Sequence, residues 1–114
     1  MDNCLFCKII KQEIPSTKVY EDDHVYAFYD IHPQAPVHVL VVSKTHVKDV
    51  LELSSMPNDE AASILRACAK VAAITGIDRT GLRVVTNCGH DGRQSISHLH
   101  FHVLGGSQLS ENMA

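Results

Sequence analysis

An α+β fold, with an antiparallel sheet of about five strands, one long helix and one short one, is predicted by three observations. Short segments rich in β-branched and aromatic residues recur along the chain, a single long amphipathic stripe separates them into two groups, and no apolar run approaches the roughly 18 residues that would span a bilayer. Strands before and after one long helix suit an antiparallel sheet with helices on one side.

The elements follow in chain order. Asn3 to Lys11 places Leu5, Phe6, Ile9 and Ile10 at near-helical spacing, and Ile14-Pro15-Ser16 closes this short helix with a turn. Thr17 to Glu21 and His24 to Tyr29 read as two antiparallel strands joined at Asp22-Asp23. Val37 to Ser43, after the Pro33 to Pro36 turn, is almost continuously apolar, so it is expected to be buried on both faces in the middle of the sheet. From about Pro57 to Thr75, Ala61, Ile64, Leu65, Cys68, Val71 and Ala72 form one helical stripe, which should cover a sheet face. Asn58 is a candidate cap, Asp59 and Glu60 suit the positive end of the helix, and Gly76 suits a left-handed stop. Leu82 to Asn87 and Leu99 to Leu104 read as the last two strands, separated by a polar loop with Gly89 and Gly92.

A chain of 114 residues with 45% hydrophobic and 20% charged residues fits one globular domain, residues 1–114, and not a disordered segment. Ten basic residues against thirteen acidic ones leave a net charge of −3, with the basic residues scattered, so nucleic acid is not an expected partner. The N-terminus has no basic region followed by an apolar signal core, and neither a membrane nor export is expected; the cytoplasm is the expected location. The unusual number is eight histidines, side chains that titrate near neutrality and serve as base, nucleophile or ligand.

Three of them alternate with bulky apolar residues in His98-Leu99-His100-Phe101-His102-Val103-Leu104. Period two is the strand period, so the imidazoles share one face, about 6 to 7 Å between neighbours, while Leu99, Phe101 and Val103 enter the core. Polar decoration of a solvated face would not need histidine. A second reading is a metal site, but the outer pair would lie about 13 Å apart on a straight strand, so a metal takes one or two of the three at most. A third reading is nucleophilic catalysis, in which one imidazole attacks phosphorus, a neighbour sets its tautomer, and water breaks the resulting phospho-imidazole.

This run resembles the histidine triad family, whose mark is His-φ-His-φ-His-φ-φ with φ apolar. The resemblance extends to Phe6-Cys7-Lys8-Ile9-Ile10, Glu13-Ile14-Pro15, Asp30-Ile31, Pro33-Gln34-Ala35-Pro36, His38 and Gln94-Ser95. It implies a HIT-like fold. Gly105-Gly106 after the motif is similar to the Hint branch, the purine nucleoside phosphoramidases, and His102 stands where the nucleotidyltransferase branch has Gln. The resemblance implies His100 as nucleophile, supported by His102 and His38, with Ser95 among the catalytic residues. It also implies Asp30 on the ribose hydroxyls, Asn87, Gln94 and Ser95 near the phosphate and leaving group, and Phe6, Ile9, Phe28 and Ile31 around the base. For those apolar four, core packing explains the residue types equally well. Arg93 stands where the family usually has a second glycine, so a loop of different shape or added positive charge is expected. The tail from Ser107 lacks the Trp-Pro-Pro-Gly ending of many relatives.

Cys4 and Cys7 have the spacing by which two thiolates grip one tetrahedral zinc. Candidates for the other two ligands are His46 and His98, and some bacterial members of the family resemble this Cys, Cys, His, His arrangement. The alternative is two buried thiols. Such a closed site is structural, and the chemistry requires no cofactor. Cys68 fits the buried helix stripe, Cys88 falls in a loop, and His24, His32 and His90 fit the surface. The resemblance further implies a homodimer formed through the long helix and adjacent strand, with Ala61, Ala62, Ala69, Ala72 and Ala73 allowing close approach. Three functional classes stay open: a phosphoramidase or the related dinucleoside polyphosphate hydrolase, a purine nucleotide-binding regulatory protein, and a small zinc module.

Overall fold

Residues 3–112 are described by the computed structural model. The short helix α1 spans Leu5–Ile10 and the long helix α2 spans Asn58–Thr75; the strands are β1 (Lys18–Glu21), β2 (Val25–Tyr29), β3 (Val37–Ser43), β4 (Leu82–Val85) and β5 (His100–Gly105). They form one antiparallel sheet in the order β1-β2-β3-β5-β4. The central position of β3 accounts for its apolar run, because a strand covered on both faces has no solvated side to mark with polar residues. At the β1–β2 turn, Asp22 Oδ1 accepts the backbone N–H groups of His24 and Val25 at 2.8 and 2.9 Å, which fixes the hairpin.

The two faces of the sheet carry separate cores. One packs Val25, Ala27, Val39, Val41, Phe101 and Val103 beneath Ile64, Cys68 and Val71 of α2. The other packs Tyr26, Phe28, Leu40 and Val42 against Phe6 and Ile9 of α1. The expectation of helices on one side is therefore corrected. Leu40 and Val42 alternate with Val39 and Val41, so both faces of β3 present apolar surface, and the histidine face needs a cover of its own.

Three local expectations also change. Pro57, not Asn58, occupies the cap position of α2, Asn58 is the first helical residue, and no side chain caps the helix. Two 3-10 turns, Val50–Ser55 and Ile77–Arg79, flank α2 where no regular element was expected. His98 lies in a bend before β5, so only His100 and His102 are on the strand. The stop at Gly76 agrees with its φ of 83°. The glycine pair ending β5 is sterically required, since a Cβ on Gly105 would lie 2.9 Å from Ile77 Cδ1 and one on Gly106 2.9 Å from Pro36 Cβ. Among the described residues no helix is long and apolar enough to cross a membrane.

Candidate active site and metal centre

The register of the central strands assembles the histidines. His100 lies opposite Val42, His102 opposite Leu40, and His38 opposite Leu104, so His38, His100 and His102 project from one face of neighbouring strands. The His38 and His102 rings, and the His102 and His100 rings, are each 5.1 Å apart between centroids. Phe6 of α1 stands edge-on to His100 at 5.0 Å and to His98 at 5.8 Å, so the short helix holds the rings in place from above.

Hydrogen bonds assign the ring protons. The Gln34 N–H donates to His38 Nδ1 at 3.0 Å, which puts the His38 proton on Nε2; from there it donates to His102 Nδ1 at 2.9 Å. Asp30 Oδ2 lies 3.5 Å from the same His38 nitrogen. His100 Nδ1–H donates to the His98 carbonyl at 2.7 Å. Its Nε2 is thereby left with a free lone pair, the form required of a nucleophile. Burial lowers the pKa of all three: His38 and His100 fall below the ordinary imidazole value despite the opposing pull of Asp30, and His102, with His100 and His38 beside it, falls to about 4. The rings are neutral at pH 7.

A cavity of about 480 Å³ opens beside this row. Its walls include Phe6, Ile9, Phe28 and Ile31, with Asp30, His38, His102 and Ser95 supplying polar groups. Phe6, Ile9 and Phe28 also belong to a core cluster, so packing and pocket lining describe the same side chains, whereas Ile31 is 84% exposed. Asp30 Oδ1 accepts the His32 N–H at 2.8 Å, and the carboxylate retains further acceptor capacity toward the cavity. Ser95 is exposed at the cavity wall. Asn87 donates to the Gly92 carbonyl at 2.8 Å and lines a neighbouring cavity that also includes His38 and His102.

Gln94 stands differently. Its Oε1 accepts from Gly89 N–H, and its Nε2 donates to the carbonyls of Lys48 and Ile96, so the amide braces its own loop and ties it to the segment after β3. Arg93 adopts φ 61°, the left-handed conformation that favours glycine, with its side chain exposed. The loop thus has a glycine-type turn despite the arginine.

The second constellation joins α1 to the approach to β5. Cys4, Cys7, His46 and His98 bring four ligand atoms within 4.8 Å of one another. Cys4 Sγ lies 3.3 Å from His98 Nδ1, and Cys7 Sγ lies 3.3 Å from His46 Nδ1 and 3.6 Å from His98 Nδ1. Zinc at about 2.3 Å from sulfur and 2.0 Å from nitrogen in a tetrahedron requires S–N edges of about 3.5 Å, so donor set and spacing fit. His98 is fully buried, and its Nε2–H donates to the Ser43 carbonyl at 2.7 Å, which turns its Nδ1 lone pair toward the sulfurs. Cys4 also caps α1, its Sγ accepting from Cys7 N–H. Asp30, His38 and His102 are a second group with ligand atoms this close, although the His38–His102 hydrogen bond already engages two of those nitrogens.

Three contributors escaped the sequence reading: Gln34, which acts through its backbone N–H, Ser43, which acts through its carbonyl, and Arg83, which lines the neighbouring cavity. The first two have no side-chain signal. Arg83 had one, as a polar residue alternating with Leu82 and Val84 on a strand.

Comparison with known proteins places these features in a family. Residues 11–109 match the HIT domain. The chain is 38% identical over 113 residues to a protein named purine nucleoside phosphoramidase in Escherichia coli K12, covering 99% of this chain and 95% of that one. A HIT-like protein of Azospirillum brasilense is 42% identical, covering 94% and 88% of the two chains. Among solved structures, a HIT family hydrolase from Clostridium thermocellum superposes with a TM-score of 0.89 at 43% identity, covering 100% and 99%. A histidine triad protein from Clostridium difficile gives 0.88 at 47%, covering 99% and 97%.

Proposed function

We propose that this chain, which belongs to the histidine triad (HIT) family, is a hydrolase that cleaves the P–N bond of purine nucleoside phosphoramidates through a nucleotidyl-His100 intermediate. The observation that carries this reading is the 2.7 Å hydrogen bond from His100 Nδ1–H to the His98 carbonyl, which leaves Nε2 unprotonated in a ring kept neutral by burial. The phosphoramidase name of the Escherichia coli relative supports the substrate class.

In the proposed reaction the base enters the cavity walled by Phe6, Ile9, Phe28 and Ile31, and Asp30 accepts from the two ribose hydroxyls. His100 Nε2 attacks the α-phosphorus, the P–N bond breaks, and the amine leaves with a proton from a nearby donor, His102 or Ser95. His102 carries its proton on Nε2, because Nδ1 accepts from His38. Water then attacks the phosphorus of the N–P linkage, returns a proton to the donor, and frees His100 and the nucleoside monophosphate. Asn87 is assigned to the phosphate side. Gln94, with its amide engaged by Gly89, Ile96 and Lys48, is assigned to holding Ser95 in position.

Cys4, Cys7, His46 and His98 are assigned to one zinc. When bound it supplies a closed structural cross-link and no part of the chemistry. A homodimer is proposed through the exposed apolar surface of α2 and β4.

The test is a quenched single turnover with labelled adenosine phosphoramidate, followed by mass spectrometry of the peptide containing His100. An adduct of nucleoside monophosphate mass is expected, with turnover lost by several orders of magnitude in His100→Ala while nucleotide binding persists. Turnover abolished by chelator, with no adduct trapped, is the result that overturns the reading.

A further inference from the structure

The cavity beside the histidine row has a far end to which the proposed reaction gives no role. Cross-strand register measures its depth. His102 lies opposite Leu40, Leu40 opposite Phe28, and Phe28 opposite Lys18, so β1 stands three strands, about 14 Å, from the histidines. Ser16, two residues before Lys18, lines the same cavity as His102. The Tyr29 N–H donates to the Thr17 carbonyl at 3.0 Å, which holds this segment beside β2. The side chains assigned to the base, Phe6, Ile9, Phe28 and Ile31, carry no polar atom, so they hold a ring without telling one base from another by hydrogen bonding.

A pair of hydroxyls stands at that end. Ser16 Oγ and Tyr26 Oη lie 2.8 Å apart, and among the described residues neither hydroxyl has another hydrogen-bond partner. Tyr26 is 4% exposed, whereas Ser16 is half-buried at the cavity wall. A phenol is a stronger acid than an aliphatic alcohol, and a buried O–H without an acceptor is costly, so Tyr26 donates and Ser16 Oγ accepts. The Ser16 O–H is then left to donate into the cavity. A smaller cavity of about 270 Å³ lies behind Ser16 and Ile9, and no Asp or Glu lines it to take that proton from the far side.

We infer that Ser16, oriented by Tyr26, reads position six of the purine and selects a 6-oxopurine, hypoxanthine or guanine, over adenine. The inference rests on the phosphoramidase reading for the placing of the base. With phosphorus at His100 and ribose at Asp30, the base runs between α1 and β2 toward Ser16. A carbonyl oxygen at position six accepts the Ser16 O–H, whereas the amino group of adenine sets a donor against a donor. Tyr26 is a positioning residue that acts through Ser16. Both lie on the β1–β2 side of the sheet, away from edge strand β4, so pairing of two chains through β4 leaves them untouched.

The experiment compares the inosine, adenosine and unsubstituted purine riboside phosphoramidates of one amine. Inosine should be favoured in kcat/KM over each of the others by roughly three- to tenfold, the effect of one neutral hydrogen bond. In Ser16→Ala the preference should fall to about one while the rate on the unsubstituted purine holds. The double variant Ser16→Ala with Tyr26→Phe leaves no buried hydroxyl unpaired and should show the same loss. Tyr26→Phe alone frees the Ser16 hydroxyl to accept as well as donate, so adenosine should gain on inosine. Equal rates on all three in the wild type, a preference for adenosine, or an inosine preference that survives Ser16→Ala would each overturn the inference. Calorimetry of the three nucleoside monophosphates on the wild-type protein reads the preference without turnover. Tighter binding of the inosine compound without any hydrolysis would remove the phosphoramidase reading and keep the base reader. Hydrolysis with equal binding of all three would remove the base reader alone.

Discussion

The main-chain carbonyl of His98 accepts the Nδ1–H of His100 at 2.7 Å, while the ring of the same His98 points its Nδ1 at Cys4 and Cys7. One residue therefore belongs to both constellations. Its side chain fastens the N-terminal helix to the sheet, and its peptide group sets the proton of the ring two residues on.

The first prediction follows from that shared residue. Filling the Cys4, Cys7, His46, His98 group with zinc should hold the His98 peptide in place, and emptying it should let the carbonyl drift from His100. Cys7→Ala, or chelation, should lower the melting temperature and reduce kcat by roughly tenfold, the lower end of what loss of an orienting partner costs. Nitrogen NMR of the imidazoles should show His100 as one Nδ1–H tautomer with metal and as a mixture without it. Zinc content below about a tenth of an equivalent after purification without chelator, or an unchanged His100 tautomer after metal removal, would contradict this coupling.

The second prediction concerns pH. His38, His100 and His102 have folded-state values below the ordinary 6.5, His102 at about 4. In the proposed reaction the attacking imidazole is neutral, so the acid limb of kcat/KM should lie below pH 6.5, and an acid limb at 6.5 or above would count against the burial of these rings. Stability has the same sign. Between pH 6.5 and about 4 the unfolded chain binds more protons at these positions than the folded one, so stability should be fully present above 6.5 and decline as the pH falls through that window. Denaturant midpoints measured across it provide the check.

The sequence made some of these features legible and concealed others for physical reasons. The span of β3 was readable residue for residue, because a strand buried on both faces leaves an almost continuous apolar run, broken here only by His38 before the closing Ser43. The site row was readable because period two fixes which side chains share a face. Both 3-10 turns were missed, since six and three residues are too short to show a period. The cover provided by α1 was missed because its two buried residues, Phe6 and Ile9, do not say which sheet face they meet. The bend at His98 is equally silent: the alternation runs on through Leu99, yet the demands of the Cys4 and Ser43 contacts end the strand at His100. Tautomers were beyond reach, because they depend on the carbonyl of His98 and the N–H of Gln34, groups that every residue but proline possesses.

The last prediction is the pairing of two chains. Strand β4 is an edge of the sheet, with one side of its backbone unpaired among the described residues, and its Leu82 and Val84 lie with Leu65, Cys68, Ala69, Ala72 and one charged residue, Asp78, around a mainly apolar groove. Leu65 is 61% exposed and Val84 42%, and Ile74 on the same helix is 58% exposed. An edge strand that exposes Leu82 and Val84 and carries no charged side chain of its own on that face is a template for another strand, unless a partner covers it. A second copy meeting this surface through a twofold axis would continue the sheet from β4 to β4 and cover both α2 faces together. Sedimentation at micromolar concentration should therefore show a dimer. Val84→Lys, which puts a charge on the groove without touching His100 or Asp30, should shift the protein to monomer while its far-ultraviolet circular dichroism stays that of the folded chain. A wild-type protein that sediments only as a monomer would refute the pairing. A Val84→Lys dimer as stable as the wild type would place the contact on another face.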